Sequence, residues 1–205
     1  MSITALLKHL LLGLLILTPL ACNGQSQVSI NNGNNQQFGQ ADHITVQEEF
    51  LYFYNIYGGQ ESLGDTLTEQ IVVDGWLVQY FEKGRLEFHP ENEPAYRVTV
   101  GWLGDLLNRR RPPIPPLAIP SAEIPNTRYY EQTGHTLSGD FLQYFDTHGG
   151  NVRFGLPISE PFLLNGQITQ DFQSGRFFWT PQASQTVTLE AIGRMHLEAI
   201  TLQNK

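Results

Sequence analysis

The stretch FLYFYNIYGGQESLGDTLTEQIVVDGWLVQYFEKGRLEFHP, from Phe50 to Pro90, recurs as FLQYFDTHGGNVRFGLPISEPFLLNGQITQDFQSGRFFWTP from Phe141 to Pro181. The two stretches align without a gap at an offset of 91 residues, and 12 of their 41 positions are identical. A fixed internal period predicts two copies of one structural unit, and it is the strongest indication of the fold that this sequence offers.

Each copy begins with the pattern of an amphipathic helix. Aromatic side chains and one histidine follow the spacing i, i+3, i+4, i+7: Phe50, Phe53, Tyr54 and Tyr57 in the first copy, and Phe141, Tyr144, Phe145 and His148 in the second. Thr45 and Glu48 match a capping box at the start of the first helix, and Ser138 is the expected cap of the second. Gly58 and Gly149 stand where a left-handed residue ends a helix.

A β-hairpin follows, with a two-residue loop at Lys83-Gly84 in the first copy and at Ser174-Gly175 in the second. A bulged loop is an alternative, because neither lysine nor serine favours a positive φ. The core face is expected to hold these side chains: Phe81 opposite Leu86 and Gln79 opposite Phe88, then Phe172, Phe177, Gln170 and Trp179 in the second copy. We therefore expect Trp179 to be a core residue first and a ligand platform second.

The opposite face of the hairpin differs between the copies. The second copy carries Gln167, Thr169 and Asp171 there, which are typical of a strand facing water. The first copy carries an apolar stripe, defined as Trp76, Val78 and Tyr80. Such a stripe indicates a contact surface, so it is the candidate site for a ligand or a partner. The contact could instead be the other copy or a further strand.

The predicted fold is α+β, with two tandem repeat modules, each a helix plus an antiparallel β-hairpin and a closing strand. The closing strands are expected at 96–100 and 186–189, and a C-terminal helix at about 190–202. The predicted organisation is a signal peptide at 1–21, a flexible polar tether at 22–43, the first module at 44–107, a proline-rich linker at 108–126 and the second module, with the C-terminal helix, at 127–205. Modules this small lie near the lower size limit for an independent core, so mutual packing is expected.

Residues 1–21 have the pattern of an export signal. Lys8 precedes an apolar run at 10–17 that is too short to span a bilayer. The run ends at Ala21-Cys22, and Cys22 is the only cysteine of the chain. This arrangement resembles a bacterial lipoprotein signal, so Cys22 is the predicted lipid attachment site and the protein is expected on the outer face of a bacterial membrane. Simple cleavage after Ala21 would give a secreted protein instead.

Without residues 1–21 the chain has 11 basic and 20 acidic side chains, a net charge of −9. This balance disfavours nucleic acid as a partner. The run Arg109-Arg110-Arg111 is expected to be a solvated part of the linker, with contact to anionic envelope polymers as the alternative.

No catalytic residue, metal site or cofactor site is predicted. Glu69 and Glu160 are the one possible carboxylate pair for a wall hydrolase. They hold the same position in both copies, as do Arg85 and Arg176, which favours a structural role such as a loop anchor or a Glu–Arg pair. The histidines lack the spacing of metal ligands.

In the second copy, residues 149–150, 154–160 and 170–181 together resemble an LGFP repeat, which occurs in exported, cell-wall-associated bacterial proteins. The first copy, over 79–91, is similar to related modules of exported proteins of the Chloroflexota type. The resemblance covers 48–104 and 134–193. It implies association with the cell envelope, with wall glycans as the candidate ligand, and it supplies no catalytic residue.

The predicted function is that of a non-catalytic, lipid-anchored cell-envelope protein whose two modules bind cell-wall polysaccharide or peptidoglycan. The alternative is an interaction or spacer module, in which Trp76 and Tyr80 dock another exported protein. A wall hydrolase is the least favoured of the three.

Overall fold

A computed structural model describes residues 44–180 and 186–203, together with the backbone of residues 28–29. The predicted signal peptide, Cys22 and most of the predicted tether lie outside the described residues. The chain folds as a mixed α+β protein with antiparallel sheets, as the sequence predicts.

Six α-helices and two 3-10 turns lie in the described part of the chain. The helices are α1 (Glu48–Ile56), α2 (Gly59–Leu63), α3 (Leu103–Leu106), α4 (Gly139–Thr147), α5 (Gly150–Phe154) and α6 (Ile192–Gln203). The 3-10 turns are Pro94–Tyr96 and Pro116–Ala118. The sequence pattern did not indicate α3, and Tyr96 belongs to a 3-10 turn and not to the closing strand in which it was expected.

The first sheet contains five antiparallel strands in the order β1-β2-β3-β4-β5. They are β1 (Val28–Ser29), β2 (Ile71–Val73), β3 (Trp76–Phe81), β4 (Gly84–Phe88) and β5 (Val98–Val100). β1 lies inside the predicted tether and pairs with β2. The turn Asp74-Gly75 joins β2 to β3, with φ of 53° and 85° at its two residues.

The second sheet contains four antiparallel strands in the order β11-β10-β9-β8. They are β8 (Phe162–Leu164), β9 (Gln167–Phe172), β10 (Gly175–Trp179) and β11 (Thr188–Leu189). The turn Asn165-Gly166 joins β8 to β9 with φ of 50° and 81°. A separate hairpin, β6 (Thr127–Tyr130) and β7 (His135–Ser138), precedes α4.

The hairpin loops differ from the expected register. Phe81 pairs with Gly84, so the first loop is Glu82-Lys83, and Phe172 pairs with Gly175 in the same way. The predicted pairs are therefore wrong by two residues, although such a shift leaves every side chain on its predicted face. Gly84 has no positive φ, and a Cβ there would lie 3.0 Å from Leu63. Close packing, and not the turn, accounts for this glycine.

The inner face of each sheet packs on the helices that precede it. The core of the first sheet contains Phe50, Phe53, Leu63, Phe81, Leu86 and Val100. The core of the second contains Leu137, Phe141, Phe145, Phe154, Phe172, Phe177 and Val187. The expected aromatic faces of α1 and α4 are confirmed. The expected capping box is wrong, because α1 begins after Gln47 and has no side-chain cap hydrogen bond.

The outer face of each sheet is covered by the segment of chain that follows the other sheet. Helix α6 packs on the first sheet, where Leu197 and Ile200 join Val78 and Tyr80 in one apolar cluster. The segment from α3 to Arg109 lies against the second sheet. Thr169 and Asp171 are therefore buried, and their predicted exposure to water is wrong.

Two glycines, one in each covering segment, donate backbone hydrogen bonds to the sheet that the segment covers. The amide of Gly104 in α3 donates to Gln173 O of the second sheet (2.8 Å), and the amide of Gly193 in α6 donates to Glu82 O of the first (3.0 Å). The two acceptors are 91 residues apart, the offset of the repeat. The chain is thus interlocked, because each covering segment begins at the hairpin loop of the other sheet.

Arg153 of α5 is buried where the two sheets approach each other. Its guanidinium donates to Ser62 Oγ (2.8 Å), Ser62 O (2.8 Å) and Lys83 O (3.0 Å). Burial lowers the pKa of Arg153 to about 10, because the charged form is poorly solvated there. Ser62 and Arg153 occupy the same position in the two copies, so equivalent positions meet at this contact.

Candidate ligand-binding groove

The predicted site, the apolar stripe of Trp76, Val78 and Tyr80, is mostly closed. Val78 and Tyr80 are fully buried beneath α6. Trp76 lies at the rim, 36% exposed, with its ring centroid 4.2 Å from that of His89. The sequence left open whether the stripe contacts a ligand, a partner or another part of the chain. For Val78 and Tyr80, the structure shows that the contact is another part of the same chain. Only Trp76 is accessible to a partner.

A buried polar chain fixes Tyr80. Arg85 Nη1 donates to Tyr80 Oη (3.0 Å), and this hydroxyl lies 2.9 Å from His196 Nδ1 of α6. In the His196 tautomer with Nδ1 unprotonated, the hydroxyl accepts from Arg85 and donates its own proton to Nδ1. Burial, followed by the charge of Arg85, lowers the pKa of His196 to about 4, while Asp74 acts in the opposite direction. This arrangement holds α6 on the sheet.

Glu69 and Glu160, the possible carboxylate pair, anchor loops. Glu160 Oε1 accepts from the Thr136 amide (2.8 Å), and Oε2 accepts from the Thr136 hydroxyl. Glu69 Oε2 accepts from Gln47 Nε2 (2.6 Å). Neither carboxylate pairs with the repeated arginines, since Arg85 binds Glu87 and Arg176 binds Asp171 and Glu190. Of the two structural roles considered for these glutamates, a loop anchor and a Glu–Arg pair, the loop anchor is the one that both have.

Two concave surfaces lie on either side of Pro161, and together we call them the Pro161 groove. One side has a volume of about 330 Å³ and is lined by Arg111, Pro112, His135, Glu160, Pro161 and Phe162. The other has a volume of about 190 Å³ and is lined by Ser138, Asp140, Phe141, Pro161, Ile168 and Trp179. Both sides are shallow, so the groove suits a segment of an extended polymer better than an enclosed small molecule.

Trp179 forms the floor of the smaller side. It pairs with Ile168 across β9 and β10 and packs against the second core. Its buried Nε1 has no hydrogen-bond partner in the described part of the chain. Ser138 and Asp140, at the start of α4, are exposed beside it. An apolar wall therefore stands next to a hydroxyl and a carboxylate.

Arg111 forms the wall of the larger side. Its amide donates to Ile158 O (2.8 Å), and its carbonyl accepts from His135 Nε2 (3.1 Å). Its guanidinium carbon lies 5.9 Å from the centre of the Phe162 ring, and that of Arg176 lies 5.8 Å from the same ring. The backbone of Arg111 is therefore fixed, while its side chain is exposed to solvent.

The corresponding surface of the first sheet has a different chemistry. Gln70 stands at the position of Pro161, and Glu49 at that of Asp140. Gln70 Nε2 donates to Glu49 Oε2. This hydrogen bond bridges the position on the first sheet that corresponds to the gap between Pro161 and Asp140 in the groove. Proline cannot make this bridge, because it has no side-chain donor.

Sequence reasoning missed this groove. The signal that could have indicated it is the pair of differences between the copies, Gln70 against Pro161 and Phe88 against Trp179. The expected solvation of the arginine run also needs correction, because Arg109 is only partly exposed and forms ion pairs with Glu190 and Asp171. Arg110 pairs with Asp105.

Two further properties concern the described residues only. Their histidine, aspartate and glutamate side chains form no group that could hold a metal ion. None of their helices is both long and apolar enough to cross a bilayer.

No protein-family model matches the chain, and no curated protein matches it. The LGFP-like resemblance therefore stays a prediction from the motifs.

Proposed function

We propose that this chain is a non-catalytic, lipid-anchored protein of the bacterial cell envelope. In this proposal two tandem repeat modules, residues 44–107 and 127–205, bind cell-wall polysaccharide or peptidoglycan. The membrane is reached through a lipid on Cys22. The observation that carries the binding function is the Pro161 groove, with its apolar floor and its exposed polar rim.

The element bounds support the two modules. The series α1, α2, β2, β3 and β4 recurs 91 residues later as α4, α5, β8, β9 and β10, with the same length for each element. The closing strands β5 and β11 follow, and each module is completed by a covering segment that packs on the other. Because the coverings are reciprocal, the two modules act as one body.

The chemistry of the groove supports a glycan ligand. A sugar ring offers an apolar C–H face and a rim of hydroxyl groups. Trp179 and Ile168 supply an apolar surface for the face, while the Asp140 carboxylate and the Ser138 hydroxyl can bond the rim. Both sides of the groove are shallow and open to solvent, so a polymer can lie on them without entering by a free end.

The position of Glu160 supports binding without catalysis. A glycosidase needs two carboxylates that are free to exchange protons or attack the sugar. Both oxygens of Glu160 already accept hydrogen bonds from Thr136. Glu160 therefore stabilises the wall of the groove.

The test is retention on purified wall sacculi of the chain from residue 22 onward, with Cys22→Ser to keep it free of lipid. We expect the wild-type groove to be retained, and the double change Pro161→Gln with Asp140→Glu to reduce retention about tenfold. This double change introduces the Gln–Glu bridge of the first sheet at positions that are exposed.

The matched control is Gln70→Ala, which removes the bridge from the first sheet and should leave retention unchanged. Retention no greater than that of an unrelated protein of equal size and charge would contradict the proposal.

A further inference from the structure

The three consecutive arginines of the linker have different surroundings. Arg109, with its side chain 10% exposed, forms ion pairs with Glu190 and Asp171, and Arg110 makes two hydrogen bonds to Asp105, of 2.8 and 2.9 Å. Arg111 has no carboxylate within ion-pair distance among the residues that the structure describes. Arg111 is thus the member of this run whose guanidinium is available to an anion from outside.

The backbone of Arg111 is held in place by contacts with the second sheet and its neighbouring hairpin. Hydrogen bonds to Ile158 O and from His135 Nε2 fix its backbone on both sides, and Pro112 restrains the next residue. The Phe162 ring lies beneath the guanidinium. The backbone of Arg111 is therefore already ordered before its planar fork binds an anion.

Glu160 limits the charge that this side of the groove can accept. Its carboxylate lines the same cavity, and its side chain is 35% exposed. One free guanidinium beside one carboxylate complements a single negative charge better than the double charge of a phosphate monoester. The planar geometry of a carboxylate also matches the arginine fork.

From these observations we propose that the Pro161 groove binds an acidic glycan, with a carboxylate of the polymer on Arg111 and a sugar ring on the Trp179 side. This inference rests on the proposed function, and it names the ligand class of the same groove. Pro161 lines both subsites, which lie on opposite faces of the second sheet, so a single polymer reaches both by passing the edge strand β8 at Pro161.

The experiment compares untreated sacculi with sacculi whose carboxylates have been converted to neutral amides by a carbodiimide. The protein is again the chain from residue 22 with Cys22→Ser. Wild type should bind the amidated material about tenfold more weakly. Arg111→Gln should bind the untreated material about tenfold more weakly and should not respond to amidation.

The control variant is Arg110→Gln, which makes the same charge change one residue away at an arginine that is already paired. It should behave as wild type. The melting temperature of Arg111→Gln should also match wild type, because this side chain is exposed.

Three results would overturn the inference, and they differ from failure of wall binding itself. Equal wild-type affinity for both materials, or equal affinity of the two arginine variants, would leave wall binding intact and exclude the carboxylate. Weaker binding after removal of phosphodiester polymers, but not after amidation, would assign the anion to phosphate. No retention of wild type on any sacculi would contradict the proposed function as well.

Discussion

The outer faces of the two sheets occupy equivalent places and are covered by different chemistry. On the first sheet, Val78 and Tyr80 pack beneath the apolar side chains of α6. On the second, the Asp171 carboxylate accepts hydrogen bonds of 2.6 and 3.1 Å from Arg176. Arg109 lies 3.8 Å from the same carboxylate and pairs with Glu190.

The difference shows that polarity did not determine burial in this protein. A buried carboxylate is tolerated when it has charged partners and hydrogen bonds, whereas an isolated one would cost several kcal/mol. Asp171 has such partners, so a polar strand face could be covered like an apolar one. Both coverings share a backbone contact, at Gly193 on the first sheet and at Gly104 on the second. The following changes test what the two covered faces have in common and what differs between them.

The largest effect is expected from adding one methyl group at either covering glycine. A Cβ on Gly193 would lie 2.0 Å from Phe81 O, and a Cβ on Gly104 would lie 2.1 Å from Phe172 O. Since these neighbours are backbone atoms, Gly193→Ala and Gly104→Ala should each lower the free energy of unfolding by roughly 3 kcal/mol. Urea denaturation, followed by circular dichroism, measures the loss.

Gly175→Ala is the control, because its nearest contact is an ordinary 3.7 Å to Phe154. It should change the free energy of unfolding by less than about 1 kcal/mol. The interlocked arrangement also predicts one cooperative transition for each variant. Separate unfolding of the two sheets, seen as two transitions, would contradict it.

A smaller effect is expected from acid on the first sheet alone. The pKa of His196 is about 4 in the fold, below its ordinary value of 6.5, so the unfolded chain takes up the proton first as the pH falls. His196 therefore destabilises the fold progressively between about pH 6.5 and pH 4, by at most roughly 3 kcal/mol. Above pH 6.5 it has no such effect.

The comparison with His196→Gln isolates this contribution, because glutamine does not titrate and its amide oxygen can accept from Tyr80. The difference in unfolding free energy between wild type and variant should shrink or reverse as the pH falls from 6.5 to 4. A difference that is constant over this range would show that His196 is not held neutral by the covering helix.

The smallest effect is expected at the rim of the first outer face. Trp76→Gln installs the residue that the second copy has there, Gln167. Because Trp76 is partly exposed, the free energy of unfolding should fall by about 1 kcal/mol or less. If Trp76 docks another exported protein, Trp76→Gln should lower the capture of that partner by crosslinking. The melting temperature should then stay the same. A large drop in melting temperature would instead assign Trp76 to internal packing.

Local patterns were sufficient for much of the fold. The aromatic spacing located α1 and α4, and the alternation of side chains assigned the correct residues to the inner faces of the hairpins. Asp74-Gly75 and Asn165-Gly166 would also have revealed β2 and β8, since such pairs favour the positive φ values of a two-residue hairpin turn.

The candidate site was predictable only in part. Trp179 was expected as a core residue with a possible second role, and it does line the groove. Arg111 and Pro161 were not distinguished from their neighbours, because their importance depends on contacts with residues distant in the chain, such as the hydrogen bond between Arg111 O and His135. The expected site at Val78 and Tyr80 is buried for the same reason, since a helix more than 100 residues away covers it.

The sequence by itself determined the repeat, which a comparison of its own residues reveals. It also determined the α+β class and the inner faces, because these depend on residues that are near one another in the chain. Only the tertiary structure decided which surfaces meet: that α6 covers the first sheet, that Arg109 is ion-paired while Arg111 is exposed, and that the gap at Pro161 stays open. Such contacts depend on the free energy of packing distant segments together, which no local pattern of residues records.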